Sequence, residues 1–168
     1  MNKLEYRMYG IVPYNISEIQ KGIQFGHAVV EYSLKYFKNE DFQQWAKKHK
    51  TFMVMNGGTT NMGEGTIQGR PDWMVEELKG SLNKYADLLS KNKIKCAYFF
   101  EPDLNDALTA AVFLADERVF DKIKYPDYVP LSFDLAKNDP QHEKEWVKSI
   151  GGKQNVFLRE FISKLRFA

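Results

Sequence analysis

Two polar side chains in an otherwise apolar stretch, Gln24 and His27, have the types and spacing to serve one site. They lie three residues apart, so in a helix they occupy neighbouring positions on adjacent turns. A glutamine amide both donates and accepts hydrogen bonds, and a histidine titrates near neutral pH. Gly22 precedes them and Gly26 lies between them. Because each glycine costs a helix about 1 kcal/mol relative to alanine, the pair predicts a close approach of another segment.

A second polar stretch is the acidic connector 101–106, Glu-Pro-Asp-Leu-Asn-Asp, which lies between two apolar runs. The carboxylates of Glu101 and Asp103 can accept hydrogen bonds from water or from a polar ligand. Asn105 and, beyond the connector, Thr109 add uncharged donors and acceptors. The competing interpretation is a solvated turn, since acids are mostly exposed. The two interpretations differ in whether these acids lie beside Gln24 or on another side of the molecule.

A basic run follows the predicted second helix, and it contains Lys47, Lys48, His49 and Lys50. One interpretation is a patch that binds nucleic-acid phosphates. The simpler one is a solvated helix end, where cations complement the helix macrodipole. We favour the second, because a formal net charge of +2 does not by itself imply a nucleic-acid partner.

The composition of the 168-residue chain is that of one globular domain, with 43% hydrophobic and 27% charged residues. The single cysteine, Cys96, excludes an intramolecular disulfide framework and a cysteine-based zinc site. His27, His49 and His142 are too far apart in sequence to suggest a metal site, so we expect no metal and no cofactor. No apolar run is long enough to span a membrane, and the charged N-terminus does not resemble a signal peptide. We therefore expect a cytoplasmic protein without a membrane partner.

The stretch with Gln24 and His27 is predicted to lie in a helix that follows an N-terminal strand. Alternating apolar residues predict the strand over 4–14. Ser17 and Gln20 fit a capping box, which places the helix start there, and the helix runs to about Lys38. Apolar positions at a spacing of three to four predict the face toward the core, and His27 falls on it: Ile19, Ile23, His27, Val30, Leu34 and Phe37.

The rest of the chain continues an alternation of strands and helices. Helices are predicted over 40–48, 71–91, 142–150 and 155–167, and strands over 51–55, 94–100 and 108–115. This order predicts an α/β fold with a small mixed four-stranded sheet flanked by helices and a C-terminal helical extension. We divide the chain into an α/β domain, 1–121, with a glycine-rich insertion, 57–70, and an aromatic connector with a helical extension packed on it, 122–168.

Two motifs resemble the type 2 peptidyl-tRNA hydrolases and the bacterial and phage proteins that share their fold. One is Gln24-Phe25-Gly26-His27-Ala28, in the first helix after one strand. The other runs from Phe99 to Ala110 and resembles the family's turn between its last two strands, where an acidic residue precedes a loop and a threonine opens the final strand. The resemblance covers about residues 4–120. It implies a mixed four-stranded sheet between helices, cleavage of the ester that joins peptide to tRNA, and no metal.

The chain departs from the family pattern at two points. The family has a lysine seven residues before the histidine, where this chain has Gln20, with Lys21 next to it. Because one helical step turns a side chain by about 100°, Lys21 substitutes for that lysine only if the helix start is shifted. The glycine-bearing turn after the family's acidic residue is replaced by Pro102-Asp103.

The resemblance also suggests roles for the candidate residues. In the hydrolase interpretation Glu101 or Asp103 orients water, Lys21 or Gln20 stabilises negative charge, Thr109 binds the substrate and His27 sets their orientation. The candidate catalytic residues are Lys21, His27, Glu101, Asp103 and Thr109, and the candidate substrate-binding residues are Gln20, Gln24, Asn105, Lys47, Lys48 and Lys50.

Other interpretations of the same residues remain open. A histidine on an apolar stripe is more often a core histidine, acids in a connector are more often a solvated turn, and Thr109 is also interpretable as an ordinary strand residue. A non-catalytic module on the same fold would bind a nucleotide, an RNA or a protein without turnover, and its partners would include tRNA or another nucleic acid. Self-association into a homodimer is a further alternative.

Overall fold

The computed structural model describes residues 4–60, 80–130 and 140–168, which form an α/β fold around one mixed sheet. Its strands, in the sheet order β2-β1-β4-β3, are β1 (Tyr6–Val12), β2 (Thr51–Asn56), β3 (Cys96–Glu101) and β4 (Ala107–Asp116). β1 pairs parallel with β2 and antiparallel with β4, and β3 pairs antiparallel with β4. The predicted fold class, a four-stranded mixed sheet flanked by helices with a C-terminal helix, is confirmed.

The helices of the described residues flank this sheet. They are α1 (Glu18–Tyr36), α2 (Glu40–Gln44) with a π-helical turn (Trp45–His49), α3 (Ser81–Lys91), a 3-10 turn (Pro102–Leu104), α4 (Glu117–Phe120), α5 (Pro140–Ser149) and α6 (Lys153–Ser163). The prediction of one helix over 71–91 is wrong, because Gly80 is extended and serves as the N-cap of α3. Residues 61–79 and 131–139 lie outside the described residues, and with them most of the predicted glycine-rich insertion.

Alternation along β1 divides the core into two layers. Met8 and Val12 face α1, where they pack with Phe25, Ala28 and Tyr32. Tyr9 and Ile11 face the other side, where they pack against apolar residues of α3 and α6 (Leu82, Leu89, Leu158, Phe161). The sheet is therefore covered on both sides, and α1 owes its position to the first layer.

The face of α1 that packs on the sheet is not the predicted one. Gln24, Phe25, Ala28 and Tyr32 are its buried residues. His27 is exposed, and so are Ile19, Ile23, Val30, Leu34 and Phe37, at 50% to 77%. The predicted core stripe is therefore wrong, because α1 has two apolar faces and the spacing of apolar residues does not distinguish the inner from the outer face.

The start of α1 follows the predicted capping chemistry. The Ser17 side chain accepts the backbone N–H of Gln20, and the Gln20 side chain accepts the backbone N–H of Ser17. These reciprocal hydrogen bonds form a capping box and fix the first turn. They also hold the Gln20 side chain at the start of α1.

A glycine in β1 sets the distance between α1 and the sheet. A Cβ on Gly10 would lie 2.1 Å from the Cε2 atom of Phe25, so the Phe25 ring occupies the space that a side chain would need. In contrast, Cβ atoms on Gly22 and Gly26 would meet nothing within 4 Å. The close approach expected at those two glycines is therefore not made by the described part of the chain.

The C-terminal segment packs against the second face of the sheet and then joins its edge. The Asn56 N–H donates to the Arg166 carbonyl at 2.7 Å, and the Ala168 N–H donates to the Val54 carbonyl at 3.1 Å. The buried guanidinium of Arg159 binds the carboxylate of Asp127. Hydrogen bonds from Lys122 and Arg159 lower the pKa of the Asp127 carboxyl. The end of the chain thus partly covers the outer edge of β2.

None of the helices in the described ranges is long and apolar enough to cross a membrane.

We predict that Gly10→Ala destabilises the fold, because the added methyl group would overlap the Phe25 ring. Overpacking of this kind costs about 1–3 kcal/mol, measurable as the free energy of unfolding in urea. The matched control is Gly10→Ala in a Phe25→Leu background, where the smaller side chain relieves the overlap. An equal cost of Gly10→Ala in both backgrounds would contradict the assigned contact.

Candidate active site

The side-chain amide of Gln24 joins three elements at the start of α1. Its Nε2 donates to Oε2 of Glu101 at 2.5 Å, and its Oε1 accepts from the Thr109 hydroxyl at 2.8 Å. Gln24 is 5% exposed and Thr109 is fully buried. One amide therefore links α1 to the end of β3 and the start of β4. The sequence analysis predicted that Gln24 lies beside the acidic connector, and this position is confirmed.

A β-bulge turns Thr109 toward α1. The pairing of β3 with β4 changes register between Phe99 and Phe100, which pair with Ala110 and Leu108. Ala110 belongs to the α1 layer, so strict alternation would point Thr109 to the opposite face. The bulge instead places Thr109 and Ala110 on the same side, a common way to redirect a side chain near a functional site.

The Glu101 carboxylate is held at the entrance of a tight turn. It caps the 3-10 turn by accepting the Asp103 N–H at 3.4 Å, while its other oxygen accepts from Gln24. Asn105 and Asp106 adopt left-handed backbone conformations with φ of 53° and 57°. A carboxylate has about four acceptor positions, so about two remain for water or a ligand.

A cavity of about 110 Å³ opens beside this carboxylate, and its lining includes Gln20, Gln24, Glu101 and Asp103. A volume of this size accommodates a few water molecules or one functional group of a larger ligand. Ile16 and Leu104 supply apolar walls. Sequence reasoning missed both residues. The available signals were that Ile16 is an apolar residue directly before the capping box and that Leu104 is an apolar residue inside the acidic connector.

Of the predicted site residues on α1 and in the acidic connector, Lys21, His27 and Asn105 lie outside the cavity lining. Lys21 forms an ion pair with Glu18, with 2.8 Å between Nζ and Oε1. His27 lies about one turn beyond Gln24 on α1, and its ring stacks on that of Phe99 with centroids 4.4 Å apart. His27 is exposed. Asn105 is exposed in the turn. The described structure therefore brings together Gln20, Gln24, Glu101, Asp103 and Thr109.

The predicted basic patch lies at the other end of the sheet. Lys47, Lys48 and Lys50 precede β2, whose first residue, Thr51, pairs with Arg7 near the start of β1. The Gln24 cluster lies beyond the opposite end of β1, about 20 Å away at about 3.3 Å per residue. A ligand that contacts both regions at once must therefore span about 20 Å.

A second cavity, of about 310 Å³, is lined by polar side chains, several of which form hydrogen bonds or ion pairs with one another. Arg118 pairs with Asp116 at 2.8 Å, and Asn155 donates to the same carboxylate. The Tyr6 hydroxyl donates to Asp41, and burial raises the pKa of Tyr6. These contacts connect the end of β4 to α6, so we assign them a structural role. Sequence reasoning did not identify them.

No group of three or more His, Cys, Asp or Glu side chains that could bind a metal ion occurs in the described ranges.

We predict that Thr109→Val lowers the free energy of unfolding by about 1–3 kcal/mol, because it leaves the buried Gln24 carbonyl without its donor. Thr109→Ser is the matched control, since it keeps the hydroxyl and loses a methyl group. Packing alone would make the valine variant the more stable of the two, whereas the hydrogen bond favours serine. Urea unfolding compares them, and a more stable valine variant would contradict the role given to the hydroxyl.

Comparison with known proteins does not identify the site. The chain matches no protein-family model, and no curated protein matches it. The likeness to type 2 peptidyl-tRNA hydrolases therefore rests on the motifs 24–28 and 99–110.

Proposed function

We propose that this chain is a divergent peptidyl-tRNA hydrolase-like protein that cleaves the ester of peptidyl-tRNA, or a related RNA-linked ester, by attack of water. The observation that carries the proposal is the Gln24–Glu101 hydrogen bond beside a small open cavity. Both residues belong to the two motifs that resemble the family. The reaction needs no redox partner and would occur in the cytoplasm, where peptidyl-tRNA is found.

The Glu101 carboxylate is the group that orients and activates water. Glu101 lines the cavity, and a water bound there to the carboxylate would lose a proton to it as the water oxygen attacks the ester carbonyl. The bond to the ribose oxygen then breaks, and the Glu101 carboxyl returns its proton to that oxygen as it leaves. Gln24 and Thr109 are positioning residues, because each acts through the neighbour that it binds.

Gln20 is the nearest candidate for stabilising the oxyanion. Its carbonyl oxygen accepts from Ser17, which leaves its NH₂ group available beside Gln24 and Glu101. A donor aimed at developing negative charge lowers the barrier of ester hydrolysis. In this assignment Gln20 takes the place of the family lysine, and Lys21 stabilises the helix start through Glu18.

Lys47, Lys48 and Lys50 would bind phosphates of the tRNA body at the far end of the sheet. Such contacts release counterions, so binding weakens as salt concentration rises.

We predict that Glu101→Gln lowers kcat/KM for peptide release from peptidyl-tRNA by at least about 100-fold, because the amide cannot accept a proton from water. The matched control is Asp106→Asn, an exposed acid of the same turn that does not line the cavity. It should retain activity within about threefold. Wild-type activity of Glu101→Gln would contradict the assigned role, and thermal unfolding of both variants verifies that they fold.

A non-catalytic binding module is the second candidate function. It is favoured by one observation: the only lysine near the helix start, Lys21, is paired with Glu18 and does not line the cavity in the described structure. Binding of deacylated tRNA, followed by fluorescence anisotropy, separates the two candidates. Salt-dependent binding by a wild-type chain that releases no peptide would favour the module.

A further inference from the structure

The outer face of α1 presents an apolar stripe to solvent. We define the α1 stripe as five apolar residues of this helix and its C-cap that are 50% to 77% exposed: Ile19, Ile23, Val30, Leu34 and Phe37. At 3.6 residues per turn these five side chains fall within an arc of about 60°, on the side of the helix opposite Ala28. Single exposed apolar residues are normal, but a contiguous row along one helix marks a contact surface.

Two glycines border the same face of the helix. Gly22 and Gly26 lie four residues apart, and a Cβ on either would meet nothing within 4 Å. Glycine destabilises a helix interior relative to alanine, so the pair has no benefit for the described chain alone. Two small residues at this spacing let the backbone of a second helix approach closely.

The α1 stripe is complementary to itself under a two-fold rotation. Ile23 and Val30 are equally distant in sequence from the point between Gly26 and His27, and so are Ile19 and Leu34. When two identical helices pack antiparallel about that point, Ile23 of one copy meets Val30 of the other, Ile19 meets Leu34, and Gly26 lies near the axis. A two-fold contact requires this kind of self-complementary surface. Antiparallel packing also aligns the helix macrodipoles favourably.

The available area fits a weak dimer. A 19-residue helix is about 28 Å long. A contact band about 20 Å wide along it would cover roughly 600 Å² per copy, which is at the low end for specific interfaces. The centre of that band contains no charged side chain, as is usual for the core of an interface.

We propose that the α1 stripe is the interface of a homodimer in which two α1 helices pack antiparallel across a two-fold axis near Gly26. The proposal does not depend on the hydrolase function.

Sedimentation equilibrium of the full chain between about 1 and 500 μM tests the dimer, with a dissociation constant expected in the micromolar range. Val30→Lys places a charge at the centre of the contact and should raise that constant at least about tenfold. The matched control is Ile123→Lys, which adds the same charge at a 97% exposed apolar residue outside the stripe and should leave it unchanged. A monomer at every concentration, or a dimer insensitive to Val30→Lys, would overturn the proposal.

Gly26→Ala provides a second test, because it should stabilise the monomer and weaken the dimer. The substitution should raise the thermal stability of the dilute monomer, since alanine favours the helix and its Cβ meets no neighbour. It should also raise the dimer dissociation constant several-fold, because the methyl group keeps the two backbones apart. An equal or tighter dimer would overturn the close approach at Gly26.

Disulfide trapping tests the antiparallel register. Mixing Ile23→Cys with Val30→Cys should give a cross-linked heterodimer under mild oxidation, because these positions face each other. Ile23→Cys alone should not cross-link, since its two copies are separated by seven helical steps, about 10 Å along the axis. Cross-linking of Ile23→Cys with itself would overturn the antiparallel arrangement. The native Cys96 is buried and does not interfere.

Discussion

The hydrogen bonds of one buried amide, that of Gln24, determine how the candidate site is assembled. The amide accepts from Thr109 and donates to Glu101, so both of its polar ends are satisfied within the protein. A buried amide without partners would cost about 1–3 kcal/mol, which makes this pair of contacts a constraint on the fold as well as on the site. Packing of α1 elsewhere on the sheet would lose both contacts and incur this cost.

The same constraint explains what was predictable from sequence. The sheet, the capping box of Ser17 and Gln20, and the placement of Gln24 beside the acidic connector all follow from local patterns. The position of Thr109 does not, because a β-bulge reverses the expected alternation. The inner face of α1 was also missed, because Phe25 packs into the space above Gly10, and no periodicity in the helix reports on a glycine in a strand.

The two faces of α1 divide its roles. The inner face carries Gln24 and fixes the candidate site, while the outer face carries the α1 stripe and two glycines without neighbours in the described chain. The apolar residues of α1 therefore serve two purposes: those on the inner face pack on the sheet, and those on the outer face form the proposed association surface. Lys21 shows a related limit of sequence reasoning, since its ion pair with Glu18 depends on the exact helix start that the capping box sets.

A double-mutant cycle between Gln24 and Thr109 tests the central claim most directly. Gln24→Met, Thr109→Val and the double variant are unfolded in urea, and the free energies of unfolding are compared. If the two side chains share one hydrogen bond, the loss in the double variant is smaller than the sum of the single losses by about 1 kcal/mol. Losses that add within about 0.3 kcal/mol would contradict the account.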